Sequence, residues 1–256
     1  MIAAHYDAVA LRPPPRVAHQ HRRQEHNTVK RLLLQQSVVM LQGNVKLVAD
    51  LACGKGGDLN KVAELCPYSL YVGVDVSGES LAELERRALR DKLTDRIVCV
   101  HSCATELVLP TPADLITMNF ALHYLTSSAV QFEALLGAVS AGLRPGGLFV
   151  GCCVDWRQVV RGGCEGVTLG SDDLQGLYDR PWGRRYRYVL PGCVDADEFV
   201  VHMPTVAALA RRHGLDLVRF RGFNGFLRSH HHTPRCASVN AMYAVFVFQR
   251  TPAPGT

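Results

Sequence analysis

The sequence predicts a single α/β domain: a mostly parallel sheet of seven strands, helices on both faces, and a segment inserted after the fifth strand. Three observations carry this. From residue 45 onward, strand-sized apolar runs alternate with helical stretches over short connections, the pattern of repeated β-α units. A glycine-rich turn, Gly54 to Gly57, separates the first strand from the helix that follows it. The alternation breaks once, at residues 161–197, where Gly, Arg and aromatics mix and the period shortens toward two, as in a hairpin or lid.

Residues 1–25 read as an irregular basic arm, because Pro13, Pro14 and Pro15 prevent a helix there. Residues 26–42 carry the apolar repeat of an amphipathic helix, with Val29, Leu32, Leu33, Val38 and Leu41. The core of the domain spans 45–160. Its strands are placed at 45–51, 70–75, 96–101, 113–118 and 148–154. Helices at 58–65, 77–89 and 127–143 lie between them. Ser77 is suited to cap the second helix, and Pro145, Gly146 and Gly147 stop the third. After the inserted lid, residues 198–256 supply a helix at 203–213, strands at 217–222 and 241–249, and a frayed tail.

Composition narrows the function classes. Hydrophobic residues make up 48% and charged residues 20% of the 256, so global disorder is excluded. No apolar run approaches the ~20 residues of a membrane span. The N-terminal residues lack the basic head and long apolar run of an export signal. With 28 Lys+Arg against 23 Asp+Glu, the formal charge of +5 suits an anionic partner. The nine cysteines form no Cys-x-x-Cys pair, and Cys99, Cys152 and Cys153 fall inside apolar strands. They read as small hydrophobes in a reducing compartment, without disulfides or zinc. The tract His230, His231, His232 lacks zinc-site spacing and reads as a loop.

The glycine turn lets the backbone pass close to a ligand, and a helix N-terminus with free N–H groups follows it. Asp75 stands at the end of the second strand, 25 residues after Asp50. A carboxylate there is placed to accept both hydroxyls of a ribose. The plainer account is a tight turn and a helix-starting aspartate. The arrangement is neither the dinucleotide Gly-x-Gly-x-x-Gly nor a P-loop, since neither Ser nor Thr follows Lys55.

Taken together, the turn, Asp75 and the Pro-Gly-Gly before the fifth strand resemble class I S-adenosylmethionine-dependent methyltransferases, a Rossmann-like fold. A narrower likeness follows. Asp-Leu-x-Cys-Gly-Lys-Gly-Gly-Asp-Leu resembles the signature of mRNA cap guanine-N7 methyltransferases. Other pieces fall in that family's order: His5-Tyr6-Asp7, His26-Asn27-Thr28-Val29-Lys30, Asn119-Phe120-Ala121-Leu122-His123-Tyr124, Pro181-Trp182-Gly183-Arg184-Arg185-Tyr186, Asp197-Glu198-Phe199 and the closing strand from Tyr243. The chain departs from the pattern at Ala52 (usually Gly), Ser102 (usually Asp), His26 (usually Asn) and Asn119 (usually Gln). Ser238 and Asn240 occupy a stretch that is usually acidic.

The resemblance implies methyl transfer from S-adenosyl-L-methionine to N7 of the terminal guanine of capped RNA, leaving S-adenosyl-L-homocysteine. It implies donor contacts at Lys30, Asp50, Ala52, Gly54, Asp58, Asp75, Ser102, Asn119 and Tyr124. It implies cap contacts at Asn27, His123, Tyr124, Trp182, Glu198 and Tyr243. Guanine N7 carries a free lone pair and the sulfonium is already an activated leaving group, so the reaction needs no general base and no metal. Lys30, Arg12, Arg16, Arg22, Arg23, Arg180, Arg184, Arg185 and Arg187 form an expected basic rim for the cap triphosphate and RNA. Expected partners are capped RNA and a capping guanylyltransferase or triphosphatase, or RNA polymerase, with no membrane and a monomeric state. The location implied is the nucleus in a cell, or the host cytoplasm for a viral enzyme. Two other readings stand beside this one: a class I methyltransferase for a small molecule or protein, and an RNA-binding domain without turnover.

Overall fold

A computed structural model describes residues 20–162, 167–168, 176–177, 179–190, 194–235 and 240–251. The elements of the core are α1 (Gln20–Met40), β1 (Leu47–Leu51), α2 (Leu59–Leu65), β2 (Leu70–Asp75), α3 (Gly78–Arg90), β3 (Ile97–His101), β4 (Ala113–Asn119), α4 (Ala129–Gly142) and β5 (Leu143–Val154). The short helix α5 (Trp156–Arg161) follows. Then come β6 (Val167–Thr168), β7 (Arg185–Leu190) and β8 (Val194–Phe199), followed by α6 (Met203–Arg212), β9 (Leu215–Gly222), α7 (Phe223–Ser229) and β10 (Tyr243–Arg250).

Seven strands form the main sheet in the order β3-β2-β1-β4-β5-β10-β9. β1 to β5 pair in parallel, and β10 runs antiparallel between β5 and β9. The order reverses beside β1, whose neighbours are β2 and β4. That reversal opens a crevice at the carboxyl ends of the strands, where ligands bind in such sheets. β1 is buried along its whole length, as a central parallel strand must be. Its successive side chains enter opposite cores. Val48 packs with Val29, Leu33, Val62 and Leu84, under α1, α2 and α3. Ala49 and Leu51 pack with Phe132, Leu136, Val139 and Val206, under α4 and α6. Helices therefore cover both faces.

The element ends differ from the expectations where local chemistry was misjudged. α1 is described from Gln20, ahead of the expected start at 26, so the last residues of the expected irregular arm are helical. It ends at Met40 in a Schellman-type turn: Gln42 takes φ 56°, and the Gly43 N–H reaches the Val38 carbonyl at 2.9 Å. α4 stops at Gly142, before the Pro-Gly-Gly, which lies in the leading end of β5. Ser77 does cap α3, its hydroxyl accepting from the Ser80 N–H at 3.1 Å. The helices α5 and α7 carry too few residues for a period to show. In the inserted segment, β6, β7 and β8 form a separate antiparallel sheet. β8 runs through Phe199, so Glu198 belongs to this lid sheet. The lid is tied to the core by the Gly183 N–H on the Thr126 carbonyl at 2.9 Å, while the Val200 N–H on the Arg184 carbonyl at 2.7 Å extends the β7/β8 pairing.

Candidate active site

At the carboxyl ends of β1, β2 and β4 lies a cavity of about 580 Å³. Ala52, Gly54, Asp75, Ser102, Asn119, Phe120 and Tyr124 line it. Gly54 takes φ +52° and a side chain there would project into open space, so the turn bares its backbone. The Gly54 N–H donates to Asp75 Oδ2 at 2.7 Å, and the Ser77 N–H donates to Oδ1 at 2.9 Å. The two strand ends are thereby locked together, with the Asp75 carboxylate at the wall. Each of its oxygens has a further lone pair for a diol. Ser102 follows β3 and brings a hydroxyl to the same wall.

Asp50 does not line this cavity. It is buried, accepting from the Tyr71 hydroxyl and the Thr117 hydroxyl, each at 2.6 Å. Burial, helped by the charge of Asp58, pushes its carboxyl up to about 6. Its place is therefore behind the turn, pinning β1 to β2 and β4. Lys30 and Asp58 lie beside the cavity, joined to it by Asn119. Lys30 Nζ sits 2.7 and 2.9 Å from the two Asp58 oxygens, and Asn119 Nδ2 donates to Asp58 Oδ2 at 3.1 Å. Lys61 Nζ, which the sequence reading missed, lies 2.8 Å from Asp58 Oδ1 and donates to the Gly57 carbonyl at 2.7 Å. Burial alone would raise the Asp58 carboxyl, but the two ammonium groups outweigh it and hold it below the usual range. The signal for Lys61 was its place three residues after Asp58, on the same helix face.

Past Tyr124 the wall changes character. The Tyr124 ring lies 3.9 Å from the His123 ring, and His123 Nε2 lies 3.6 Å from Glu198 Oε1. Both His123 and Glu198 are buried. Burial depresses the His123 pKa against the pull of Glu198, so the ring is neutral at neutral pH. The Tyr186 hydroxyl donates to Glu198 Oε2, fixing the carboxylate. The Tyr243 and Tyr188 hydroxyls meet at 3.0 Å. The Tyr243 ring also closes an aromatic group with His26, Phe120 and Phe223, at centroid distances of 4.8, 5.4 and 5.6 Å. The structure thus brings His123, Tyr124, Glu198 and Tyr243 to one side of the site. It adds contacts for Tyr186, Tyr188 and Phe120, residues that the motifs contain without assigning them these partners.

Other expected contacts fall elsewhere. Trp182 packs on Phe132 at 5.5 Å and anchors the lid to α4; among the described residues no ring contact or hydrogen bond joins it to the His123 group. Asn27 is exposed on α1. In the basic rim, Arg187 is neutralised by Asp195 at 2.8 Å and Asp197 at 3.1 Å, and Lys30 by Asp58. Arg22 donates to the Tyr188 hydroxyl at 3.4 Å, Arg184 donates to the Arg180 carbonyl, and Arg23 and Arg185 are exposed. Arg12, Arg16, the His5-Tyr6-Asp7 element, Ser238, Cys164, Cys193 and Cys236 lie outside the described residues. His230 bonds Gln36 and the Phe226 carbonyl at the end of α7, and among the described residues no cluster has the makings of a metal site. No helix among them is long and apolar enough to cross a membrane.

Residues 2–243 match the model of the mRNA (guanine-N(7))-methyltransferase domain. The chain belongs to this family. It is 28% identical over 245 residues to mRNA cap guanine-N(7) methyltransferase 1 of Oryza sativa subsp. japonica, covering 86% of this chain and 65% of that protein. With the mRNA cap guanine-N(7) methyltransferase of Drosophila melanogaster it shares 26% over 241 residues, 82% of this chain and 56% of the relative. The chain thus spans about three fifths of the length of these relatives. Among solved structures, an S-adenosylmethionine-dependent methyltransferase from Clostridium acetobutylicum superposes with TM-score 0.61 at 14% identity, covering 88% of this chain and 92% of that one. The N-methyltransferase NodS from Bradyrhizobium japonicum, in complex with S-adenosyl-L-homocysteine, gives 0.58 at 15%, covering 98% of each chain. These likenesses establish the class I methyltransferase fold.

As a guanine-N7 methyltransferase domain, the chain carries its departures at places the structure explains. Ala52 holds φ +52°, the left-handed region in which glycine is at ease. His26 fills an aromatic group: it stacks on Phe120 at 5.1 Å and meets Phe223 edge-on at 5.5 Å. Asn240 is buried and donates to Glu25 Oε2 at 3.2 Å.

Proposed function

We propose that this domain transfers the methyl group of S-adenosyl-L-methionine to N7 of the terminal guanine of capped RNA, converting GpppN to m7GpppN. One observation carries the reading: Tyr124 borders both halves of the site. It lines the cavity closed by Asp75, and its ring lies on His123, which faces Glu198. Donor and acceptor therefore meet at Tyr124. Asp75 takes the ribose hydroxyls, Gly54 and Ala52 give the backbone room, and Ser102 and Asn119 flank the adenosine and methionine ends. Lys30 and Asp58 lie at the methionine end, while Asp50 holds the turn from behind.

The bound donor supplies a methyl on a positively charged sulfur. The protein's part is alignment. Guanine N7 attacks in line with the leaving sulfur, and no proton is transferred in that step. Holding the two reactants in register is worth up to about 7–11 kcal/mol in ideal intramolecular systems. Guanine presents its N1–H and exocyclic amine as two donors, and Glu198 offers two carboxylate oxygens. Its negative charge also favours the positive charge that methylation places on the purine. Tyr186 keeps that carboxylate aimed, and the neutral His123 adds no opposing charge.

Capped RNA is the substrate in this reading, and the cell's capping machinery, in the nucleus or in a virus-infected cytoplasm, is its setting. Radiolabelled transfer from S-adenosylmethionine tests it directly. Label is expected on GpppA- or GpppG-ended RNA and absent from uncapped RNA and from RNA already bearing m7G. Equal labelling of uncapped RNA, or none on any RNA with transfer to small amines instead, overturns it.

A further inference from the structure

We infer that Lys61 is a positioning residue for the methyl donor: it holds Asp58 so that Lys30 is released to meet the donor's carboxylate. The inference rests on the donor reading of the cavity. Lys30 and Lys61 are both about one-tenth exposed and both pair with the one Asp58 carboxylate, at 2.7 and 2.8 Å from the same oxygen. Two ammonium groups share that one carboxylate in a half-enclosed corner, and the next anion, Asp50, is already engaged by the Tyr71 and Thr117 hydroxyls. A further anion entering the corner pairs with the ammonium that the protein holds less firmly. Lys61 has its second bond inside the protein, to the Gly57 carbonyl at 2.7 Å. Lys30, reaching from α1, has among the described residues the Asp58 carboxylate alone as a bonding partner. It is the ammonium with less to hold it.

The neighbouring chemistry says what completes the corner. Asn119 lines both the cavity and the pocket between Lys30 and Asp58. Its Nδ2 is spent on Asp58, while its Oδ1 is buried with no hydrogen-bond partner. A ligand with a carboxylate next to an ammonium group satisfies both, the carboxylate toward Lys30 and the ammonium toward Asn119 Oδ1. The amino-acid end of an S-adenosyl ligand has that pair. When Lys30 turns to the carboxylate, Asp58 would be a buried, unpaired anion if Lys61 were absent. Lys61 removes that cost.

The test compares two ligands by calorimetry on the parent protein and on Lys61→Met and Lys61→Gln. S-adenosylhomocysteine has the amino-acid end, and methylthioadenosine has the same nucleoside and sulfur without it. In both variants S-adenosylhomocysteine is expected to bind at least about tenfold more weakly, the loss of one charged partner, with methylthioadenosine unchanged. Equal weakening of both ligands means that Lys61 only supports the turn, and overturns the inference. Unchanged binding of both does the same. If the parent binds neither ligand, the donor reading of the cavity falls and takes this inference with it. The second variant retains a donor for the Gly57 carbonyl should the methionine fail to fold.

Discussion

Asp75 does two jobs with one carboxylate. It receives the Gly54 and Ser77 N–H groups, and it faces the cavity. Asp75→Ala should therefore weaken S-adenosylmethionine binding by about 1.5–3 kcal/mol, roughly ten- to a hundredfold, as a charged hydrogen-bond partner is lost. Calorimetry reads this, and an unchanged affinity would remove Asp75 from the donor site. Glu198→Gln should act on the other half. The amide oxygen still accepts from Tyr186, but its nitrogen faces a guanine donor and the negative field is gone. Cap methylation should fall about ten- to a hundredfold, from a mismatch of roughly 1–3 kcal/mol, while donor affinity holds. A parental rate on capped RNA would show that guanine sits elsewhere. Both residues are picked out in the sequence because each stands at a strand-end position within an ordered set of motifs. Lys61 was passed over although it stands three residues after Asp58 on the same helix face, and the bond of Tyr186 to Glu198 arises only when β7 meets β8. The contact of Trp182 with Phe132 was not legible for a similar reason: an aromatic in a basic hairpin can stack on a base or on its own core.

The turn between β1 and α2 stores strain that the sequence shows only as an unusual letter. Ala52 sits at φ +52° where an L-residue with a Cβ is disfavoured by roughly 1–2 kcal/mol. Ala52→Gly should relieve it, less the roughly 0.4–1 kcal/mol that glycine adds to the freedom of the unfolded chain. The expected net gain is about 0.5–1 kcal/mol of stability, read from urea midpoints at constant slope. A loss of stability would mean that the alanine methyl packs for more than its backbone costs. At this scale the reading of the sequence was strongest where burial on both faces forces an apolar run, as at β1, β2 and β4. It was weaker at the ends, where single capping bonds decide. Proline at 145 looked like a helix stop, yet α4 had already ended with the Leu143 N–H on the Val139 carbonyl.

Strand number and lid position were readable from the run of elements, but the sheet order and the second sheet were not. Nothing local tells β10 to insert between β5 and β9. That choice follows from packing Phe246 and Phe248 against Phe149 in one core while Val245 and Val247 enter the other. The same assembly places His26 of α1 against Phe120 at the end of β4, Phe223 of α7 and Tyr243 of β10. One ring therefore joins four elements, and its charge state is a property of the whole molecule. Burial, aided by Arg22 and Lys30 and opposed by Glu25, lowers its pKa from 6.5 to about 3. The unfolded chain then binds a proton that the folded protein refuses, so the stability from this site is complete above pH 6.5 and is lost as pH falls toward 3. Asp50 works in the opposite sense. Its pKa is raised to about 6, so its contribution is present below about 4 and is lost as pH rises through about 6. Between pH 7 and 5 the two oppose each other, and the parent curve should be shallow. His26→Asn removes one side of that balance. The parent should lose roughly 1–2 kcal/mol relative to the variant on going from pH 7 to 5, because a proton taken up only on unfolding is no longer there to be gained. Denaturant titrations of both proteins across that range measure the difference directly. A constant offset between the two curves would show that His26 is protonated as readily in the folded protein as in the unfolded chain, and that the aromatic group is open to water.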